Sequence, residues 1–241
     1  VDDAAVTVSN VVDATPLLLP GNMCDARLWP AVVRAALPGA IDVALTSADR
    51  IDALAQVALG VVDGPLIPVG FSMGGIVALA MARLAPERIA GMVLLDTNAS
   101  ADIPERAAQR PRQQADVRAG QLERIVVEEL KPNYLAAANR SNQALLALLK
   151  DMALMLGADV FMTQSEALRT RPDQRGILTT LDIPVFIACG AEDMLCPPAW
   201  HAALAASATR SSFNVIKAAG HMLPLEQPEV LAGLLDKWRY Q

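Results

Sequence analysis

Aromatic side chains are scarce, with four Phe, two Tyr and three Trp in 241 residues. So few rings leave no material for an aromatic cage around a cation or for a platform on which bases stack. Cysteine is also thin. Three residues, Cys24, Cys189 and Cys196, make an odd number with no pairable pattern, which excludes a disulfide framework and suits a reducing compartment. Only His201 and His221 represent histidine, no His/Cys/Asp cluster has metal-ligand spacing, and no glycine loop cradles phosphate. No metal and no cofactor are therefore expected. The apolar runs fall short of the roughly 18–20 residues that span a bilayer, so no membrane partner is expected. A basic excess is missing too: the net charge is −6, which argues against nucleic acid. No basic start followed by an apolar segment marks a signal peptide, and the expected location is cytoplasmic.

What the chain does have is apolar material, 53% of its residues, at a length suited to one core with an insertion. Strand and helix signals alternate, the pattern of a mostly parallel, doubly wound α/β sheet covered on both faces. Val6 to Val12 and Pro16 to Leu19 read as strands, Ala26 to Leu37 as a helix, and Ile41 to Leu45 as a strand. Asp49 to Val62 reads as a helix with Asp49 as its N-cap. Pro68 lies in the next apolar run, where a missing N–H implies a bend or one lost ladder bond.

That run leads into Gly70-Phe71-Ser72-Met73-Gly74, followed by the apolar helix-like stretch Ile76 to Leu84. A G-x-S-x-G between strand and helix forces a serine to the tip of a sharp turn, because side chains at the flanking positions would collide with their neighbours. The N–H of Met73 then opens a helix and can face a developing negative charge. For this geometry the acid and the base follow the serine in that order. His221 lies on a loop after the strand-like Phe213 to Ile216, where catalytic groups of open sheets gather. His201 sits in a helical stretch and is read as a surface or partly packed residue. Asp193, with Glu192 beside it, follows the strand-like Val185 to Cys189 and is the preferred acid. Asp96, at the end of Met92 to Leu95, is the rival, its alternative role being to cap local backbone N–H groups.

From Leu95 to Ile183 no strand is convincing, a gap far longer than an ordinary loop. Gln121 to Leu130, Asn142 to Leu156 and Asp159 to Arg169 look helical. Residues 98–181 hold 11 basic against 10 acidic side chains, while the remainder holds 9 against 16, so the insertion differs in charge from the acidic body. Met152, Met155 and Met162 fall within it, and Met152 and Met155 have the spacing of one helical face.

Together, Val69 to Gly75, Gly190-Ala191-Glu192-Asp193 with Pro197-Pro198, and Ala219-Gly220-His221 with Pro224 to Pro228 resemble the α/β-hydrolase superfamily in order and spacing over nearly the whole chain. The resemblance implies an α/β-hydrolase core at 1–97 and 182–241, with a helical cap at 98–181 placed over the active site. It implies a catalytic triad of Ser72, Asp193 and His221. It also implies an oxyanion hole from the backbone N–H groups of Met73 and of Asn22, the residue after Gly21 in Leu17-Leu18-Leu19-Pro20-Gly21-Asn22. Pro20 stands where such chains usually carry a loop-organising histidine. The activity implied is hydrolysis of a small carboxylic ester, lactone or thioester, with water and a small acyl substrate as the only partners. C–C bond hydrolysis, perhydrolysis, acyl transfer and a non-catalytic ligand-binding receptor are the alternatives on the same scaffold. Ser72 at the elbow argues against the relatives that use an aspartate there. Oligomeric state is not encoded in any of these signals.

Overall fold

The computed structural model describes residues 11–130 and 134–239. Six strands form a single sheet: β1 (Thr15–Leu19), β2 (Ile41–Asp42), β3 (Leu66–Phe71), β4 (Met92–Leu95), β5 (Pro184–Gly190) and β6 (Arg210–Ile216). Their order is β2-β1-β3-β4-β5-β6, and every neighbouring pair is parallel. Alternate residues face opposite sides, so each strand feeds two cores. Leu18, Val69, Val93 and Phe186 share one with Leu235 and Trp238 of the C-terminal helix. Leu17, Leu94 and Ile187 share the other with the helices that follow β2 and β3. Each fully buried leucine of this kind contributes about 1.5–3 kcal/mol relative to exposure, which is why the central strands read as unbroken apolar runs.

The helices are α1 (Ala31–Ala35), α2 (Ile51–Leu59), α3 (Met73–Leu84), α4 (Pro104–Arg118), α5 (Leu122–Arg124), α6 (Gln143–Arg169), α7 (Pro198–Ser207), α8 (Leu223–Glu226) and α9 (Pro228–Arg239). Helix α3 is buried from Met73 to Ala82 and packs beside α2, while α1 packs against α9. No helix among the described residues is long and apolar enough to cross a membrane.

Several elements differ from the sequence reading, each for a local reason. The strand expected over Val6 to Val12 lies almost wholly outside the described residues, and Val11–Asp13 forms a 3₁₀ turn. The helix expected over Ala26 to Leu37 is split by Pro30 into a 3₁₀ turn at Ala26–Leu28 and the short α1. Proline lacks the N–H and pushes Trp29 out of helical geometry (φ −105°, ψ 93°). Strand β2 stops at Asp42 rather than Leu45: Val43 still donates to the Leu18 carbonyl, whereas the Leu45 carbonyl accepts the Gln164 side-chain amide of α6. Helix α2 begins at Ile51 with Arg50 at its N-cap, so Asp49 does not cap it. Pro68 is inside β3, and the β3–β4 ladder is interrupted there, between the bridge Leu66↔Ile89 and Val69↔Val93.

The insertion between β4 and β5 is helical. Asn142 caps α6 by accepting the Leu145 N–H, and Gly157 (φ 81°, ψ −179°) breaks it at the place where two helices are expected. Residues Ile125–Leu130 form a stretch of π-helix. Met152 is buried whereas Met155 is 74% exposed, so these two methionines do not share a face. Helix α4 has no counterpart in the sequence reading. It is polar along most of its length, carries Pro111 internally, and buries only Gln113, Gln114 and Val117, so it lacks the apolar periodicity that announces a helix.

Candidate active site

The sharp turn after β3 holds Ser72 at φ 52° and ψ −113°, a backbone state that non-glycine residues adopt only when the surroundings impose it. Two glycines make the turn possible. A Cβ on Gly74 would stand 2.0 Å from the carbonyl oxygen of Leu19, and one on Gly70 would stand 2.5 Å from the Gly74 carbonyl. The Ser72 N–H is tied to the Leu95 carbonyl at 2.9 Å, which anchors the turn to the neighbouring strand. The Oγ is left facing a cleft.

His221 reaches Ser72 from the loop between β6 and α8. Its Nε2 lies 3.0 Å from Ser72 Oγ, and its Nδ1 lies 2.9 Å from Asp193 Oδ2. The ring is seated between Phe71 and Tyr134, with centroids 5.3 and 5.6 Å away. Its backbone N–H donates to the Tyr134 carbonyl, and Glu226 accepts the flanking N–H groups of Gly220 and Met222. The same Glu226 carboxylate accepts the Ala136 N–H, so one side chain braces both the histidine loop and the end of the insertion that touches it.

Asp193 Oδ1 accepts the N–H groups of Leu195 and Cys196 at 2.8 and 2.9 Å. Burial alone would raise its carboxyl, but His221 and those two N–H groups outweigh burial and hold it below the ordinary value. Asp96 behaves in the opposite way. It is fully buried at φ 45°, its Oδ1 accepts the Gly190 N–H at 2.9 Å, and it makes no hydrogen bond to His221. Burial first, and then the charge of Asp193, push its carboxyl well above the ordinary value. Glu192 is engaged elsewhere, accepting the Ala137 N–H at 2.8 Å.

His201 is not a surface residue. It is fully buried, its Nε2 accepts the Thr97 N–H at 2.8 Å, and Nδ1 faces the Pro197 carbonyl at 3.3 Å. Burial lowers its pKa to about 4, so the ring is a neutral strut between the end of β4 and the start of α7. Cys189 lies in the core, and Cys196 lines the cleft with a thiol that burial pushes upward. Asp193, Cys196 and His221 are within 4.8 Å of one another, a spacing a metal ion could accept. The thiol is held in its protonated form, however, and both ring nitrogens of His221 already face partners, so the donor set suits hydrogen bonding better than ligation.

Above Ser72 lies a cavity of about 280 Å³, at the small end of the range for ligand sites. Ser72, Met73, Asn22 and His221 form its floor, and Arg106 and Leu168 from the insertion are among the residues that roof it. As the first residue of α3, Met73 has an N–H without an intrahelical acceptor. Asn22 follows Gly21 on the turn after β1, and its side-chain amide is held by Gln164 of α6 at 3.0 Å. Sequence reasoning missed Gln164 and the arginines of α4. Gln164 lies in a helix whose apolar pattern hides it. The signals for α4 are weaker still, a proline at the first helical position and Glu105 in the first turn.

Residues 17–234 match a family model described as the alpha/beta hydrolase family. Among characterised relatives, a pimeloyl-[acyl-carrier protein] methyl ester esterase of Neisseria meningitidis is 26% identical over 211 residues, covering 86% of this chain and 81% of that protein. A thermophilic esterase from Thermogutta terrifontis, solved with malate bound, superimposes with a TM-score of 0.86 at 27% identity, covering 93% of this chain and 89% of the other. The enol-lactonase from Burkholderia xenovorans shares the fold at 18% identity, with a TM-score of 0.81 and coverage of 95% and 92%.

Proposed function

The chain belongs to the alpha/beta hydrolase family, and on that premise we propose that it is a serine hydrolase that cleaves a small carboxylic ester, lactone or thioester through an acyl-enzyme. The observation that carries this reading is the unbroken relay from Ser72 Oγ to His221 Nε2, and from His221 Nδ1 to Asp193 Oδ2, at 3.0 and 2.9 Å. Those distances are hydrogen bonds as they stand, without any rearrangement.

Chemistry follows from the groups in place. Ser72 Oγ attacks the substrate carbonyl as its proton passes to His221 Nε2, and the ionised Asp193 stabilises the resulting imidazolium. The depressed carboxyl of Asp193 suits that role, because a protonated acid could not hold the ring in the required tautomer. Negative charge developing on the carbonyl oxygen is met by the backbone N–H groups of Met73 and Asn22, aided by the start of α3. As the tetrahedral intermediate collapses, the bond from the acyl carbon to the leaving oxygen or sulfur breaks and His221 returns its proton to the departing alcohol or thiol, which leaves the acyl group on Ser72. Water, deprotonated by the same imidazole, attacks the acyl carbonyl, and the acid product leaves with Ser72 restored.

Residues 98–181 act as a cap in this reading: they roof the cavity and so restrict which substrates fit. The methyl ester esterase and the thermophilic esterase, at 26% and 27% identity, support an ester as the scissile group. Hydrolysis of p-nitrophenyl esters of increasing acyl length, beside lactones and thioesters, tests the proposal. Turnover abolished by Ser72→Ala is expected, and turnover that survives the substitution contradicts it.

A further inference from the structure

The roof of the cavity above Ser72 is charged in one sense. Arg106, Arg110 and Arg171 all line it, and Glu129 is the acidic side chain among the lining residues. Glu129 is already occupied by Arg112, Arg124 and Gln113. Asp102, whose side chain is 1% exposed, is the carboxylate behind the arginines, and it is shared between Arg110 Nε and Arg171 Nη1 at 2.6 and 2.8 Å. Asp102 thus serves two of the three guanidinium groups and leaves Arg106 without a carboxylate among the described residues.

The three differ in what they have left to give. Arg171 is spent: its nitrogens also donate to the carbonyls of Ser100, Leu168 and Ala101. Arg110 uses only Nε in an ion pair. Among the described residues Arg106 has no ion-pair partner, and its one hydrogen bond goes to the neutral carbonyl of Leu195 at 3.0 Å. Leu195 stands beside the loop that positions Asp193, so this bond fixes the guanidinium at the wall of the cleft. Arg106 and Arg110 are four residues apart on α4, hence on one helical face, and both are only partly exposed. Two planar, donor-rich groups on one face match the fork of a carboxylate.

We infer that the substrate carries a free carboxylate at its non-reacting end, held by Arg106 and Arg110 while its ester or lactone carbonyl lies against Ser72. This deepens the hydrolase reading and rests on it. A small cavity limits the span between the two groups, so a half-ester of a short dicarboxylic acid, or an ester of a short hydroxy acid, fits the chemistry. The carboxylate can belong to the acyl or to the alcohol portion, and the two are separable by experiment.

Two matched pairs serve as probes for the full chain: monomethyl glutarate against methyl pentanoate for the acyl side, and 3-acetoxypropanoate against propyl acetate for the alcohol side. Charge-assisted hydrogen bonds of this kind correspond to about ten-fold to a hundred-fold in preference. The anionic member of one pair is expected to have at least a ten-fold higher kcat/KM, and the pair that shows it identifies the side. Arg106→Gln is expected to lower that ratio ten-fold or more, Arg110→Gln to lower it as well, and Arg106→Lys to recover part of it. A ratio near one in both pairs, or a ratio unchanged in Arg106→Gln, overturns the inference. Titration of the same compounds into Ser72→Ala reads binding without turnover. Selective binding of the anionic member, lost when Arg106→Gln is added, upholds the carboxylate site even if hydrolysis is absent, whereas equal binding rejects it whatever turnover shows.

Discussion

Gln164 accepts the backbone N–H of Met23 at 2.8 Å, across 141 positions of sequence. The same oxygen accepts the Asn22 side-chain amide, and the Gln164 amide donates to the Leu45 carbonyl at 2.8 Å. Met23 has φ 54°, so the turn that presents Asn22 is held in a left-handed state that its own sequence does not favour. Pro20, just before this turn, has no side-chain hydrogen-bonding group to hold it, and Gln164 of α6 supplies the tether. Replacing Gln164 by Leu strands buried backbone groups at about 1–3 kcal/mol each. If the Asn22 N–H is an oxyanion donor, the loop's release lowers kcat by about 10²-fold, the scale of one lost donor, with KM changed less. Steady-state kinetics with a neutral ester and thermal unfolding check it. Lower stability with unchanged kcat contradicts the assignment.

The two acidic candidates give opposite expectations. Asp193→Asn removes the group that orients and stabilises the His221 ring, and kcat is expected to fall by about 10⁴-fold, the scale known for such a change in another serine hydrolase. Asp96→Asn keeps an oxygen for the Gly190 N–H and loses only the titration. A carboxyl raised in the folded state contributes stability at low pH and loses it as pH rises through the folded value. The Asp96→Asn protein is therefore expected to be at least as stable as the parent at pH 8, with kcat reduced far less than in Asp193→Asn. Paired kinetics and urea unfolding at pH 8 read both effects. The reverse ranking of kcat would reassign the acid.

His201 contributes a loss of stability on the acid side. Its folded pKa of about 4 lies below the unfolded value near 6.5: burial is the main cause and His221 a lesser one, against the Pro197 carbonyl and Asp193, which pull it upward. Between those values the unfolded chain binds a proton that the folded chain refuses, so stability falls as pH drops through this window. His201→Gln retains an acceptor for the Thr97 N–H but does not titrate. The loss of unfolding free energy between pH 7 and pH 5 is expected to shrink by about 2 kcal/mol in the variant. Urea titrations at the two pH values measure it, and an unchanged difference shows that His201 does not refuse the proton.

The parts of the molecule legible in the sequence are those governed by short-range rules. Gly70 to Gly74 announces its turn because the clash of a Cβ at Gly74 with the Leu19 carbonyl is a steric fact of that geometry. Strands β3, β4 and β5 are legible because both faces are buried and their residues are apolar without interruption. His201 was misread because an alanine-rich helix gives no sign of which face is covered, and the Thr97 N–H that claims its ring is 104 positions away. Helix α4 was missed because its inward face is arginine and glutamine rather than apolar. Arg106, Gln109, Arg110 and Gln113 line the cavity there, and such side chains carry no apolar periodicity.

The proposed activity requires Ser72 to be a nucleophile activated by His221. Reaction with a fluorophosphonate probe, followed by peptide mass spectrometry, tests it most directly. Stoichiometric labelling at Ser72 is expected, lost in Ser72→Ala and slowed by orders of magnitude in His221→Ala. A folded protein that stays unlabelled, or that is labelled at any residue other than Ser72, would contradict it and leave a hydrolase fold that binds without turnover.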